Sequence, residues 1–104
     1  MDKRGLLGQR IRTLRRAKNL SQEFLAGRIG TNPKYLSRIE LGKENPSYEF
    51  LLKIAKSLDI HPSKLFPDRD GTPQALRKEI ERIIANAKDE DLPRILSMLE
   101  ILLP

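Results

Sequence analysis

An all-α fold is predicted for this 104-residue chain by three observations. Apolar residues recur at intervals of three and four, the period of one helix face. Small polar residues that start helices (Ser21, Asn32, Ser47 and Thr72) each stand just ahead of such a stretch. Glycines that stop helices, Gly30 and Gly42, stand just behind two of them.

The first helix is expected over residues 6–18. Leu7, Ile11 and Leu14 share one face there, while Arg10, Arg12, Arg15, Arg16 and Lys18 take the others, and Asn19 ends it. Ser21 caps a second helix over residues 22–29, with Leu25, Ala26 and Ile29 as its buried stripe. Gly27 lies within it, at a cost of about 1 kcal/mol against alanine; either it admits a close neighbour or it is merely tolerated. Gly30 takes the left-handed stop. Asn32 caps a third helix with Pro33 at its first position, where the missing N–H costs nothing. Leu36 and Ile39 face inward, and Gly42 stops this helix. Ser47 opens a fourth whose Leu51, Leu52, Ile54, Ala55 and Leu58 are mostly core. HPSKLF, residues 61–66, reads as a short fifth helix that His61 caps and that closes the core with Leu65 and Phe66.

Residues 67–72 are rich in Pro, Gly and Asp and read as a linker, dividing a domain at 1–66 from a segment at 73–104. In that segment Thr72 caps a helix to about Ala87, with Leu76, Ile80, Ile83, Ile84 and Ala87 on one face. Asp89, Glu90 and Asp91 are expected to cap the last helix and favour its positive end. Leu92, Ile95, Leu96, Leu99, Leu102 and Leu103 form its apolar stripe, completing a C-terminal two-helix hairpin.

Charge narrows the partners. The chain carries a net +6 and has a pI of about 9.9. Residues 1–43 alone hold 11 Lys/Arg against 3 Asp/Glu, whereas residues 44–104 hold 9 against 11. A polyanion is therefore the expected partner of the first half. There is no cysteine, hence neither a disulfide frame nor a cysteine zinc site, and one histidine cannot build a metal cluster. Nucleophile–base pairs, phosphate loops and metal-ligand spacings are missing from the sequence, so no enzyme and no cofactor are expected. No apolar run approaches the roughly 20 residues of a membrane span, and the N-terminus lacks a signal-peptide core. A cytoplasmic protein is expected.

The window Ser21–Pro46 concentrates the functional signal. Two short helices joined by a glycine turn define a helix-turn-helix, whose second helix enters the DNA major groove N-terminus first. Small Ala26 allows a close helix crossing, Gly30 supplies the turn, and Ile39 anchors the back of the probe. From Gly8 to Phe66 the chain resembles the lambda-repressor/Cro-like helix-turn-helix family, also called the XRE family. The matching words are GQRIRTLRRAKNLSQ, LA..IG, YLSRIE.GK.NPS and LLKIAKSLDI. The resemblance implies a five-helix domain, double-stranded DNA as ligand and transcriptional regulation as role.

By that resemblance Gln22 bonds a DNA phosphate and braces the recognition helix. Asn32, Pro33 and Lys34 form the opening of that helix, with Arg38 one turn on. These four are the expected base contacts. Asparagine suits adenine bidentately, and Arg or Lys suits guanine O6 and N7. Pro33 departs from the family's usual polar residue and offers only apolar contact. Thr31 replaces a commoner apolar residue and is assigned to the DNA backbone, as are Tyr35, Ser37, Lys43 and Arg12. Rival readings stand beside three of these: packing against the fourth helix for Tyr35, an ordinary polar position for Ser37, and long-range attraction for Arg12 as for Arg10. The family also implies an internal ion pair between Glu40 and Arg15, because an exposed acid would repel phosphate.

The tail has too little chain to bury both of its apolar faces. One reading folds it back on the preceding domain. The favoured reading pairs Leu92, Ile95, Leu96, Leu99, Leu102, Leu103, Ile80 and Ile84 with a second copy, giving a two-fold dimer that reads a palindrome. A third has a regulatory protein receive the tail. A repressor is thus expected, with an antitoxin-like interaction module or a nonspecific nucleic-acid binder as rivals.

Overall fold

The computed structural model describes residues 3–103, all of whose regular structure is helical. The order is α1 (Lys3–Ala17), α2 (Gln22–Ile29), α3 (Pro33–Glu40), α4 (Tyr48–Ser57), a 3-10 turn (Pro62–Leu65), α5 (Pro73–Ala85), a 3-10 turn (Asp89–Asp91) and α6 (Leu92–Leu102). The chain divides into two compact units, one ending at Pro67 and one beginning at Asp68.

Each helix of the first unit ends on the same device. Asn19, Gly30, Gly42 and Asp59 follow α1 to α4 with φ of +58°, +90°, +76° and +56°. One residue further on, the N–H of Leu20, Thr31, Lys43 and Ile60 reaches back to the carbonyl of Arg15, Ala26, Arg38 and Ala55 at 2.8–3.2 Å. These are Schellman closures, which satisfy carbonyls that a helix end leaves free. At the starts of α2, α3 and α4, the side chains of Ser21, Asn32 and Ser47 accept the N–H of Phe24, Tyr35 and Phe50. Sharp starts and stops keep these helices short and fix the angles between them.

The core lies among α1 to α4 and the first 3-10 turn. Ile11, Leu25, Leu36, Ile39, Ile54, Leu58 and Leu65 are fully buried, with Leu7 and Leu14 half-buried beside them. Burial of such a side chain contributes about 1.5–3 kcal/mol. Arg10 Nε donates to the Lys64 carbonyl at 2.9 Å, tying α1 to the 3-10 turn, which His61 caps by accepting the Ser63 N–H at 3.1 Å.

Several sequence expectations are corrected. Helix α1 begins at Lys3, three residues before the expected start. The fifth helix is a single 3-10 turn; Leu65 points inward, and Phe66 leaves the turn with extended backbone and remains exposed. Of the two readings left open for Gly27, tolerance holds, since nothing lies within 4 Å of where its Cβ would be. The close approach is made elsewhere. A Cβ on Gly8 would strike the carbonyl oxygens of Ile39 and Glu40, the latter at 2.6 Å, and one on Gly42 would lie 2.7 Å from the Gly5 Cα. Backbone thus packs on backbone where α1 crosses the end of α3.

In the second unit Thr72 accepts the Ala75 N–H at 3.1 Å, and Pro73 opens α5. This helix stops at Ala85, not Ala87, because Asn86 turns its Nδ2 back to the Arg82 carbonyl at 2.9 Å. Asp89, Glu90 and Asp91 wind into their own 3-10 turn, and none caps α6 through its side chain; Asp91 instead lies 3.5 Å from Arg94. No described residue of this unit is buried. Ile80, Ile83, Ile84, Leu92, Leu96, Leu99, Ile101 and Leu103 are all exposed.

Candidate nucleic-acid interface

The helix-turn-helix is α2, the Gly30 turn and α3. Residues Leu36 and Ile39 hold the inner side of α3 in the core. At 34 and 38, one turn apart, the exposed Lys34 and Arg38 occupy its outer side, with half-buried Pro33 and Ser37 between the two environments. Lys43 is exposed just past the Schellman closure, Thr31 is half-buried in the turn, and Arg12 is exposed on α1.

A polar cluster fixes α3 from behind. Arg15 Nε donates to Glu40 Oε2 at 2.7 Å and Nη2 to Oε1 at 2.9 Å, a bidentate pair with both side chains buried. Arg15 Nη1 donates to the Leu20 carbonyl at 2.7 Å. Gln22 Nε2 then donates to Glu40 Oε1 at 3.1 Å, so the first residue of α2 is bonded to the last of α3. The Glu40 hydrogen bond raises the Arg15 pKa above its ordinary value, against the opposing effect of burial. Arg15 therefore stays charged, and one face of α1 is committed to structure rather than to ligand.

Besides Gln22, three expected contact residues have partners of their own. Asn32 Oδ1 accepts the Tyr35 N–H at 2.8 Å. A bidentate grip on adenine needs that same oxygen, which keeps a second lone pair beyond the cap bond, together with Nδ2. Tyr35 meets Phe50 edge-on, with ring centroids 5.2 Å apart at 87°, and bridges α3 to α4. Arg38 Nε donates to Glu44 Oε1 at 2.9 Å.

Glu44 and Phe50 escaped the sequence reading. No helical period links position 38 to 44; the reversal after Gly42 brings them together. Phe50 falls on the fourth helix's apolar face and gives no sign that it touches Tyr35. Among the described residues, no group of three or more His, Cys, Asp or Glu could hold a metal, and no helix is long and apolar enough to cross a membrane.

Residues 11–65, more than half the chain, match the helix-turn-helix family. The chain belongs to that family. As an XRE-type helix-turn-helix regulator it is a DNA-binding protein of transcriptional control, not an enzyme. This regulator is 38% identical over 77 residues to the uncharacterized HTH-type transcriptional regulator y4dJ of Sinorhizobium fredii (strain NBRC 101917 / NGR234), covering 74% of the present chain and 100% of that one. It resembles the crystal structure of the restriction-modification controller protein C.AhdI from Aeromonas hydrophila with a TM-score of 0.57 and 48% identity, over 58% of this chain and 87% of that one. A structure of the SinR protein/SinI protein complex matches over 90% of this chain and 94% of the other, with a TM-score of 0.57 and 26% identity. A match of that extent reaches beyond the first unit into the second.

Proposed function

We propose that this regulator is a cytoplasmic repressor that binds a palindromic operator as a homodimer. One observation carries the reading: α3 presents Lys34 and Arg38 outward while the buried Arg15–Glu40 pair and Gln22 hold its back. A probe so fixed spends little ordering entropy on binding. Pro33, Lys34 and Arg38, with the Asn32 side-chain amide, face base edges. Gln22, Thr31, Tyr35, Ser37, Lys43 and Arg12 serve the phosphates; for Gln22 this means sharing its Nε2 between Glu40 and DNA. Two copies set one helical turn apart read both halves of a palindrome, and an occupied operator obstructs a promoter.

Selection from random duplexes at fixed salt tests this. Wild-type protein is expected to enrich a palindrome. Lys34→Ala and Arg38→Ala should each relax one position of it, costing about 1–3 kcal/mol there, whereas Gln22→Ala should weaken binding to all sequences alike. Equal losses on every sequence for all three variants would reject the assignment.

A second reading has a specific observation behind it: the exposed aliphatics of α5 and α6, together with similarity to a SinR/SinI complex. In this reading a different protein covers the tail. Sedimentation of the free regulator separates the two, since a tight homodimer supports self-pairing and a monomer or aggregate supports the exchange partner.

A further inference from the structure

The contact between Arg38 and Glu44 stands apart from the rest of the polar framework. Arg15–Glu40 is buried and holds helices together; Arg38–Glu44 is half open to solvent, with side-chain exposures of 54% and 36%. An open ion pair of this kind adds little to folding. Its position nevertheless puts a carboxylate against one of the two outward cations of the recognition helix.

Placement follows from local geometry. The Lys43 N–H bonds the Arg38 carbonyl at 2.8 Å, and this closure folds the chain back along α3. Residue 44 is thereby delivered to the Arg38 side chain without any helical spacing. The carboxylate takes Nε at 2.9 Å, and among the described residues no hydrogen bond takes Nη1 or Nη2. The end of the guanidinium fork is therefore the part left for a ligand.

We infer that Glu44 is a positioning residue for sequence discrimination: it orients Arg38 for a guanine edge and lowers its attraction to phosphate. This rests on α3 being the recognition helix. Guanine O6 and N7 are uncharged acceptors that suit a two-pronged donor. Phosphate binding draws on net charge and counterion release, and Glu44 cancels the charge of Arg38 locally. A neutralised, aimed arginine keeps its fork for the base and loses much of its indiscriminate grip on the backbone.

The test uses the full chain and its Glu44→Gln, Arg38→Ala and double variants. Each is titrated, over a salt series, against the duplex that wild type enriches from a random pool and against the random pool itself. Glu44→Gln should bind the pool more tightly, so that the affinity ratio between selected duplex and pool falls about 5-fold, the scale of an exposed pair. Its salt slope on the pool should steepen by about one, as one more phosphate contact forms. In the Arg38→Ala background the same substitution should leave ratio and slope unchanged. Equal tightening on both DNAs, or an effect that persists without Arg38, would overturn the role of Glu44 while leaving α3 as the recognition helix. Failure of wild type to enrich any duplex would overturn that reading, and this inference with it.

Discussion

Arg15 and Asn32 show how single side chains divide between making the probe and using it. Arg15→Ala leaves the Glu40 carboxylate buried without its partner, and chemical denaturation should record a loss of about 3–5 kcal/mol. Replacing both residues together, as Arg15→Met with Glu40→Leu, should cost much less, because no buried charge is stranded. Asn32→Ser should keep the cap on Tyr35 N–H and hold stability within about 0.5 kcal/mol of wild type. The same variant removes Nδ2, so it should still weaken binding to the selected duplex in a titration. Chemistry at this scale was partly legible in the sequence. An acid inside a basic DNA-binding window demanded an internal partner, and Arg15 is where Glu40 finds one. Glu44 gave no comparable signal, since only the folded turn brings it to Arg38.

Helix starts and stops were legible because caps and left-handed stops are chemical properties of single residues. Ser21, Gly30, Asn32, Gly42, Ser47 and Thr72 stand at the ends they suggested. Asp59 was missed, because an aspartate at +56° follows a helix far less often than a glycine. Glycine inside a helix was left between two readings for a different reason: the sequence cannot say which of several glycines meets another backbone. This distinction predicts opposite outcomes for one substitution. Gly8→Ala forces a Cβ into the Ile39 and Glu40 carbonyls and should lower the melting temperature, separating α1 from α3. Gly27→Ala meets open space and should raise stability by about 1 kcal/mol in the same measurement.

At the scale of the whole chain the two units differ in kind. The first has a closed core, whereas in the second no described residue is buried. Removal of residues 73–104 should therefore give a folded monomer, with the helical spectrum of the remaining domain; a truncated protein that still sediments as a dimer would contradict this. The amphipathic pattern of the tail was readable in the sequence, but what covers it was not, because an apolar stripe records a need for burial and carries no address. The framework behind α3 has a further consequence. Leu36, Ile39 and Glu40 secure the helix through its inner side, while Lys34 and Arg38 add little to the fold, Arg38 making only the open pair with Glu44. Under the proposed reading, residues that choose an operator and residues that make the scaffold are nearly separate sets. Duplicated genes of this kind can then drift toward new target sites through a few outward codons without passing through an unfolded intermediate. Asn32 is the exception: cap and base contact fall on one amide, so the opening of the helix should diverge more slowly than the turn that follows it.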